Sequence, residues 1–115
     1  MERLNQMLSR VYAFLRGRLG DPVDELMAAA LSSTSGRYEA LFYDVDLKQY
    51  GRADYDQMLA NVADLPAAER RQLIVAGLKD LLGSVAAGVR ASRGSEEEAV
   101  VSGIIKDGLR RIGAA

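Results

Sequence analysis

The chain of 115 residues contains no cysteine, no histidine and no tryptophan. Without cysteine it has no disulfide, no thiolate metal ligand and no thiol nucleophile. Without histidine it has no imidazole to serve as a general base or a metal ligand near neutral pH. These absences exclude the commonest catalytic and metal-binding arrangements, and nothing in the cysteine count requires an oxidising compartment.

An excess of charge of one sign is also lacking. The net charge is −1, which gives no overall attraction to nucleic acid or to anionic lipid. Residues 1–19 interleave arginine with apolar residues and hold no long apolar run, so they predict neither a signal peptide nor a membrane span. Hydrophobic residues make up 49% of the chain, which is typical of a globular protein. We expect a single cytoplasmic domain over residues 1–115.

The charges are unevenly placed along the chain. Residues 1–20 carry +3, residues 21–64 carry −6, and residues 65–115 carry +2. Two interpretations fit this pattern. Either the acidic middle and the basic ends complement each other within the fold, or one of them forms a polar face for a partner.

Apolar residues recur with helical spacing through most of the chain, which predicts an all-α compact bundle of four to five helices. Residues suited to capping precede three of the predicted helices: Asp21, Asp54 (with Gln57 three residues on) and Ser95. The run from Ser32 to Gly36 is typical of a helix end, so we expect the second helix to stop there.

The least regular segment lies around residues 37–53. Leu41 and Phe42 favour a short helical turn, whereas residues 43–48 alternate apolar and polar side chains as a strand does. A lone strand has no sheet to join. We therefore expect one irregular connecting segment at this point of the bundle.

Part of this segment, from Asp46 to Gln57, resembles a calcium-binding EF-hand loop, with Gly51 at the sixth position. The third and fifth positions, however, are Lys48 and Tyr50, and the twelfth is an amide in place of a bidentate carboxylate. We expect no metal site.

Motifs for catalysis or cofactors are lacking too. The chain has no glycine-rich phosphate loop of either common type, and no histidine stands ready to activate its serines. We expect no enzyme activity, no catalytic residue and no cofactor.

Two further sets of residues bear on partners. Arg3 and Arg10 share one face of the first helix, and Arg110 and Arg111 lie near the end of the chain, where a helix dipole favours basic residues. Small residues on the long helix would let another helix approach closely, and a neighbour in the same chain is the simpler interpretation: Gly77, Ser84, Ala87, Gly88 and Ala91.

The widths of the apolar stripes give the main functional indication. They span about 160° on the first helix, about 200° on the long helix and about 180° on the last. A helix packed on one side of a monomer needs only about 100°. The surplus predicts a homodimer, or a groove for a partner helix, with the interface on the first and last helices: Leu4, Val11, Phe14, Val101, Ile105 and Ile112.

The sequence thus predicts a non-enzymatic protein-interaction or dimerisation module. The succession of residue pairs from Gly51-Arg52 through Leu65-Pro66 to Leu81-Leu82 resembles that of helical modules that accompany bacterial signalling proteins. This resemblance implies a regulatory or adaptor role in a bacterial cytoplasm. Two alternatives stay open. The bundle could bind a small apolar ligand between its helices, or it could be a DNA-binding regulator, although nucleic acid is the less expected partner.

Overall fold

The computed structural model describes residues 2–46 and 54–113, which form a bundle of helices. The predicted all-α class is confirmed. The described residues contain six helices, one more than the upper prediction, because a single helical turn forms within the irregular segment. Residues 47–53 of that segment lie outside the described part of the chain. The helices are α1 Glu2–Leu19, α2 Pro22–Arg37, α3 Glu39–Phe42, α4 Tyr55–Asn61, α5 Ala67–Arg93 and α6 Ser95–Arg111.

The long helix α5 is the centre of the bundle. It contacts α1, α2, α3 and α6, and one hydrophobic cluster includes residues from all six helices. The core stripe of α5 has helical spacing, and every member is fully buried: Ile74, Leu78, Leu81, Val85 and Val89. The helix is continuous through Gly83, which lies on its exposed side.

Length and composition alone would let α5 cross a membrane, and 44% of its most apolar stretch is buried in the bundle. The core helix of a soluble protein meets the same criteria, so this feature decides nothing about a membrane.

The predicted start of α2 is confirmed, since Asp21 holds the N-cap position before Pro22, but the predicted end was wrong. Asp21 has helical backbone angles (φ −57°, ψ −32°) and its side chain makes no capping hydrogen bond. At the other end, α2 continues through Ser32–Gly36 to Arg37. The Thr34 hydroxyl is buried and hydrogen-bonded to α5, so tertiary contacts outweigh the weak helix preference of this run.

Polar contacts fasten α1 to the start of α2. The Tyr12 hydroxyl donates to Asp24 Oδ1 (2.9 Å), and Arg16 Nη1 donates to the same hydroxyl (3.0 Å). The hydrogen bond to Tyr12 is the main cause that raises the pKa of Arg16, and Asp24 and Asp21 add to it. These contacts are solvent-exposed, so they add little to stability and mainly orient α2 relative to α1.

A second set of polar contacts joins α4 to the end of α3. The predicted cap is confirmed, because the Asp54 carboxylate accepts from the backbone N–H of Gln57 (3.3 Å). The Gln57 amide donates to Asn61 Oδ1 (2.9 Å). Asn61 Nδ2 in turn donates to the carbonyls of Leu41 (2.8 Å) and Tyr43 (2.7 Å). One amide side chain thus satisfies two carbonyls that the end of α3 leaves open.

The predicted cap at Ser95 was wrong. Gly94 holds the N-cap position of α6 and also ends α5, with φ +92° and ψ 177°. Only one residue separates the two helices, and that turn requires a backbone conformation that is essentially restricted to glycine. Ser95 is already helical and makes no capping hydrogen bond.

This geometry predicts that a substitution at Gly94 destabilises the protein more than a substitution at Ser95. Gly94→Ala should lower the free energy of unfolding by at least about 1 kcal/mol, because alanine is strained at this φ. Ser95→Ala should change it by less than about 0.5 kcal/mol, as for an exposed site without a special contact. Urea denaturation of the two variants checks this. A larger loss for Ser95→Ala would place the cap back at the serine.

Candidate functional site

The structure places the six predicted interface residues inside the bundle or at its margin. Leu4, Val11, Val101 and Ile105 are buried within the chain, the last at 8% exposure and the others at 1% or less. Phe14 and Ile112 are partly buried against the same core. A second chain cannot reach the four buried residues unless the bundle opens, so they do not form an accessible interface.

Neighbours within the chain account for the wide apolar stripes. Helix α1 contacts α2, α5 and α6, and α6 contacts both α1 and α5. A helix with two or three neighbours needs a wider apolar arc than the stripe expected for packing on one side. The width of the apolar arc therefore indicates how many helices pack against a given helix. It does not indicate whether those neighbours belong to the same chain or to a second one.

Two of the small residues on α5 also serve contacts within the chain. A Cβ added at Gly77 would collide with Leu41 and would lie 3.2 Å from Phe42 Cε2. A Cβ at Gly88 would lie 3.4 Å from Leu26 Cγ. The intramolecular interpretation holds for these two glycines, whereas Ala87 and Ala91 remain exposed.

The candidate functional site is an open groove of about 760 Å³ between α2 and α5. The helices are antiparallel, since Leu26 lies beside Gly88 while Thr34 lies beside Asp80. The middle of the groove is lined by small residues, whose short side chains leave it unfilled: Ala29, Ala30, Ser33, Gly83, Ser84, Ala87 and Gly88. Such a surface accepts a closely packed helix or a small ligand.

A closed hydrogen-bond network forms the floor at one end of this groove. The Thr34 hydroxyl donates to Asp80 Oδ2 (2.9 Å), and it lies 3.1 Å from the Ser84 hydroxyl. Arg37 Nε and Nη2 donate to Asp80 (2.8–3.1 Å), and Nη2 also donates to Ser84 (2.8 Å). Since the single Thr34 proton goes to the carboxylate, the Ser84 proton points to Thr34. We call these four residues the polar network.

The polar network fixes the register of α2 against α5. The forked contact of Arg37 with Asp80 is the main cause that raises the pKa of Arg37. Their side chains are 51% and 26% exposed, so this ion pair is only partly shielded from solvent. Thr34, by contrast, is fully buried. Its position depends on partners 46 and 50 residues further along the chain, which no local sequence pattern indicates.

The two ends of the groove differ in charge. Glu25 and Arg93 line one end, and Lys79 lines the other beside the Arg37–Asp80 pair. Among the described residues, neither Glu25 nor Arg93 forms an ion pair. Glu25 and Arg93 therefore present charges that no described residue of the chain neutralises.

The segment that resembles an EF-hand loop lies largely outside the described residues. At its described end, Asp54 acts as the helix cap of α4. Within residues 2–46 and 54–113, no group of three or more acidic residues is placed to hold a metal ion. The calcium hypothesis gains no support from this part of the chain.

Comparisons with known proteins find no match. No protein-family model, no curated protein and no solved structure is significantly similar to this chain.

Proposed function

We propose that this protein is a non-enzymatic interaction module that forms a homodimer through the α2–α5 groove. The observation that carries the proposal is an open groove with a floor of small side chains and charged side chains of both signs at each end. Self-association through this face would suit a regulatory or adaptor protein. This dimer is the one expected from the sequence, except that its interface lies on α2 and α5 and not on α1 and α6.

Two-fold symmetry favours a second copy of this chain as the occupant. In a dimer of this kind the same patch meets itself. An axis perpendicular to the groove at its middle would place the Glu25 end of one copy against the Lys79 end of the other. Because each end carries both signs, acidic and basic side chains would come together at both ends of the contact, and the small residues around Ala29 and Ala87 would face each other at the centre.

The small residues would permit close packing of the two α2–α5 pairs. Helix axes normally lie 8–10 Å apart, and the separation shrinks as the side chains at the contact become smaller. Ala29 and Ala87 are both exposed in the single chain. Covering them would remove apolar surface from water without requiring long side chains to become ordered.

We expect the wild-type chain to be a dimer of twice 12.5 kDa at about 100 micromolar. Ala29→Glu should give a folded monomer, because it places two like charges in a desolvated contact, at a cost of several kcal/mol. Ala28→Glu is the matched control. Ala28 is the exposed neighbour on α2 that does not line the groove, and its variant should remain a dimer. Light scattering after size exclusion measures the mass, and circular dichroism confirms that each variant is folded.

A wild-type monomer at this concentration would contradict the dimer, and so would equal effects of Ala28→Glu and Ala29→Glu. The first outcome would favour the small-ligand alternative, because a volume of about 760 Å³ is within the range of ligand pockets. In that case Ala29→Glu should weaken the binding of an apolar fluorescent probe, and Ala28→Glu should not.

A further inference from the structure

A second depression lies on other helices, in the seam between α1 and α6. The two helices are antiparallel, since Arg18 Nη1 contacts Glu97 Oε1 (2.9 Å) at one end and Met7 meets Gly108 towards the other. The depression has a volume of about 290 Å³. Its lining combines three arginines with one amide and an apolar floor: Arg3, Gln6, Met7, Arg10, Gly108, Arg111 and Ile112.

Gly108 shapes the floor of this depression. A Cβ at that position would lie 2.6 Å from Met7 Cε and 2.9 Å from its Sδ. The missing side chain lets the thioether of Met7 lie against α6, where it is 4% exposed. The arginines therefore surround an apolar recess and do not stand over a convex surface.

The arginines are incompletely neutralised. Arg111 Nη2 contacts Asp107 Oδ2 (3.0 Å), and both side chains are exposed. Among the side chains that the structure describes, none forms an ion pair or a hydrogen bond with Arg3 or Arg10. Three guanidinium groups against one carboxylate leave a local charge of +2 on a chain whose net charge is −1.

The chemistry of arginine indicates the kind of ligand. Guanidinium groups bind phosphate through pairs of parallel hydrogen bonds, and several of them together favour an anion with many oxygens. Arg3 and Arg10 are seven residues apart, or about 10 Å along the helix axis, so a group with more than one phosphate could span them. Arg111 approaches from the other helix.

We propose that the α1–α6 depression is a binding site for a phosphate-rich anion of the diphosphate class. Arg3 and Arg10 bind it from one side and Arg111 from the other, with the Gln6 amide as a further donor. The anion would neutralise the local positive charge, so binding should weaken as salt is added. This site shares no residue with the α2–α5 groove, and the proposal does not depend on the dimer.

Calorimetric titration of the 115-residue chain with inorganic pyrophosphate at low ionic strength tests this site. We expect Arg10→Gln to raise the dissociation constant about tenfold, the effect of losing one charge-assisted contact. Arg71→Gln is the matched control, since Arg71 is exposed on α5 and does not line the depression. It should change the constant less than about twofold. Arg3→Gln provides a second test variant if Arg10→Gln fails to fold.

A lipid headgroup with several phosphates could supply the same chemistry, so vesicles that contain phosphatidylinositol bisphosphate form a second arm of the experiment. Pyrophosphate binding that Arg10→Gln weakens and Arg71→Gln spares supports a soluble ligand. The same pattern seen only with vesicles supports a lipid headgroup. Binding of neither probe by the wild type would overturn the proposal, and so would equal losses in the two variants.

Discussion

Val11→Glu is expected to unfold the chain. Val11 is 1% exposed in the interior of α1, so an ionised carboxylate there would be buried without a partner. The cost is several kcal/mol, which is a large share of the roughly 5–15 kcal/mol that stabilises a typical domain. Ile105→Glu should act in the same way on α6, where the side chain is 8% exposed. Circular dichroism should show loss of helix at 25 °C or a strongly lowered thermal midpoint.

Val100→Glu is the control for Val11→Glu, because it makes the same replacement in a helix at a side chain that is 42% exposed. Its free energy of unfolding should change by no more than about 0.5 kcal/mol. A folded, monomeric Val11→Glu protein would contradict the structure at this point. That result would return Val11 to an interface between chains, where the apolar stripe of α1 first suggested it.

The sequence was most informative where buried residues recur with the period of a helix. The core stripe of α5 follows from residues three and four apart, because an apolar side chain on one face must find a neighbour whatever that neighbour is. The start of α4 could equally be predicted from the sequence. Asp54 caps it through a residue only three positions away, so both partners lie within one local pattern.

Local sequence patterns are misleading where the residue that decides the structure is distant in the chain. The run from Ser32 to Gly36 is typical of a helix end, yet α2 continues because Thr34 hydrogen-bonds with α5. Ser95 and Gly94 both suit a helix start. The choice between them depends on the one-residue turn between α5 and α6, which is a property of how the two helices pack.

The candidate sites were harder still to predict. Small residues on α5 indicated close packing, but only the structure separates Gly77, which packs against Leu41 and Phe42 in the chain, from Ala87, which lines the groove. Arg3 and Arg10 were recognised as one face of α1. Their meeting with Arg111 depends on the antiparallel packing of α6, which the sequence did not specify.

Thr34→Val should lower the free energy of unfolding by about 2 kcal/mol. Valine has nearly the same shape, so the change removes the hydroxyl and leaves the packing in place. The lost hydrogen bond runs from a fully buried donor to a carboxylate, and hydrogen bonds to charged groups contribute about 1.5–3 kcal/mol. The Ser84 proton also loses its acceptor, although Ser84 is partly exposed and can turn to water. Urea denaturation followed by circular dichroism measures the loss.

Ser32→Val is the matched control, because it places the same side chain at an exposed position of the same helix. It should cost less than about 0.5 kcal/mol, so the difference between the variants reports the buried hydroxyl and not the β-branched side chain. Equal losses would show that the polar network adds no stability beyond helix preference. If the network also fixes the register of α2 on α5, Thr34→Val should disturb the groove that the helices share. A dimer formed there should then dissociate at a lower denaturant concentration than the wild-type dimer, while the Ser32→Val dimer should not.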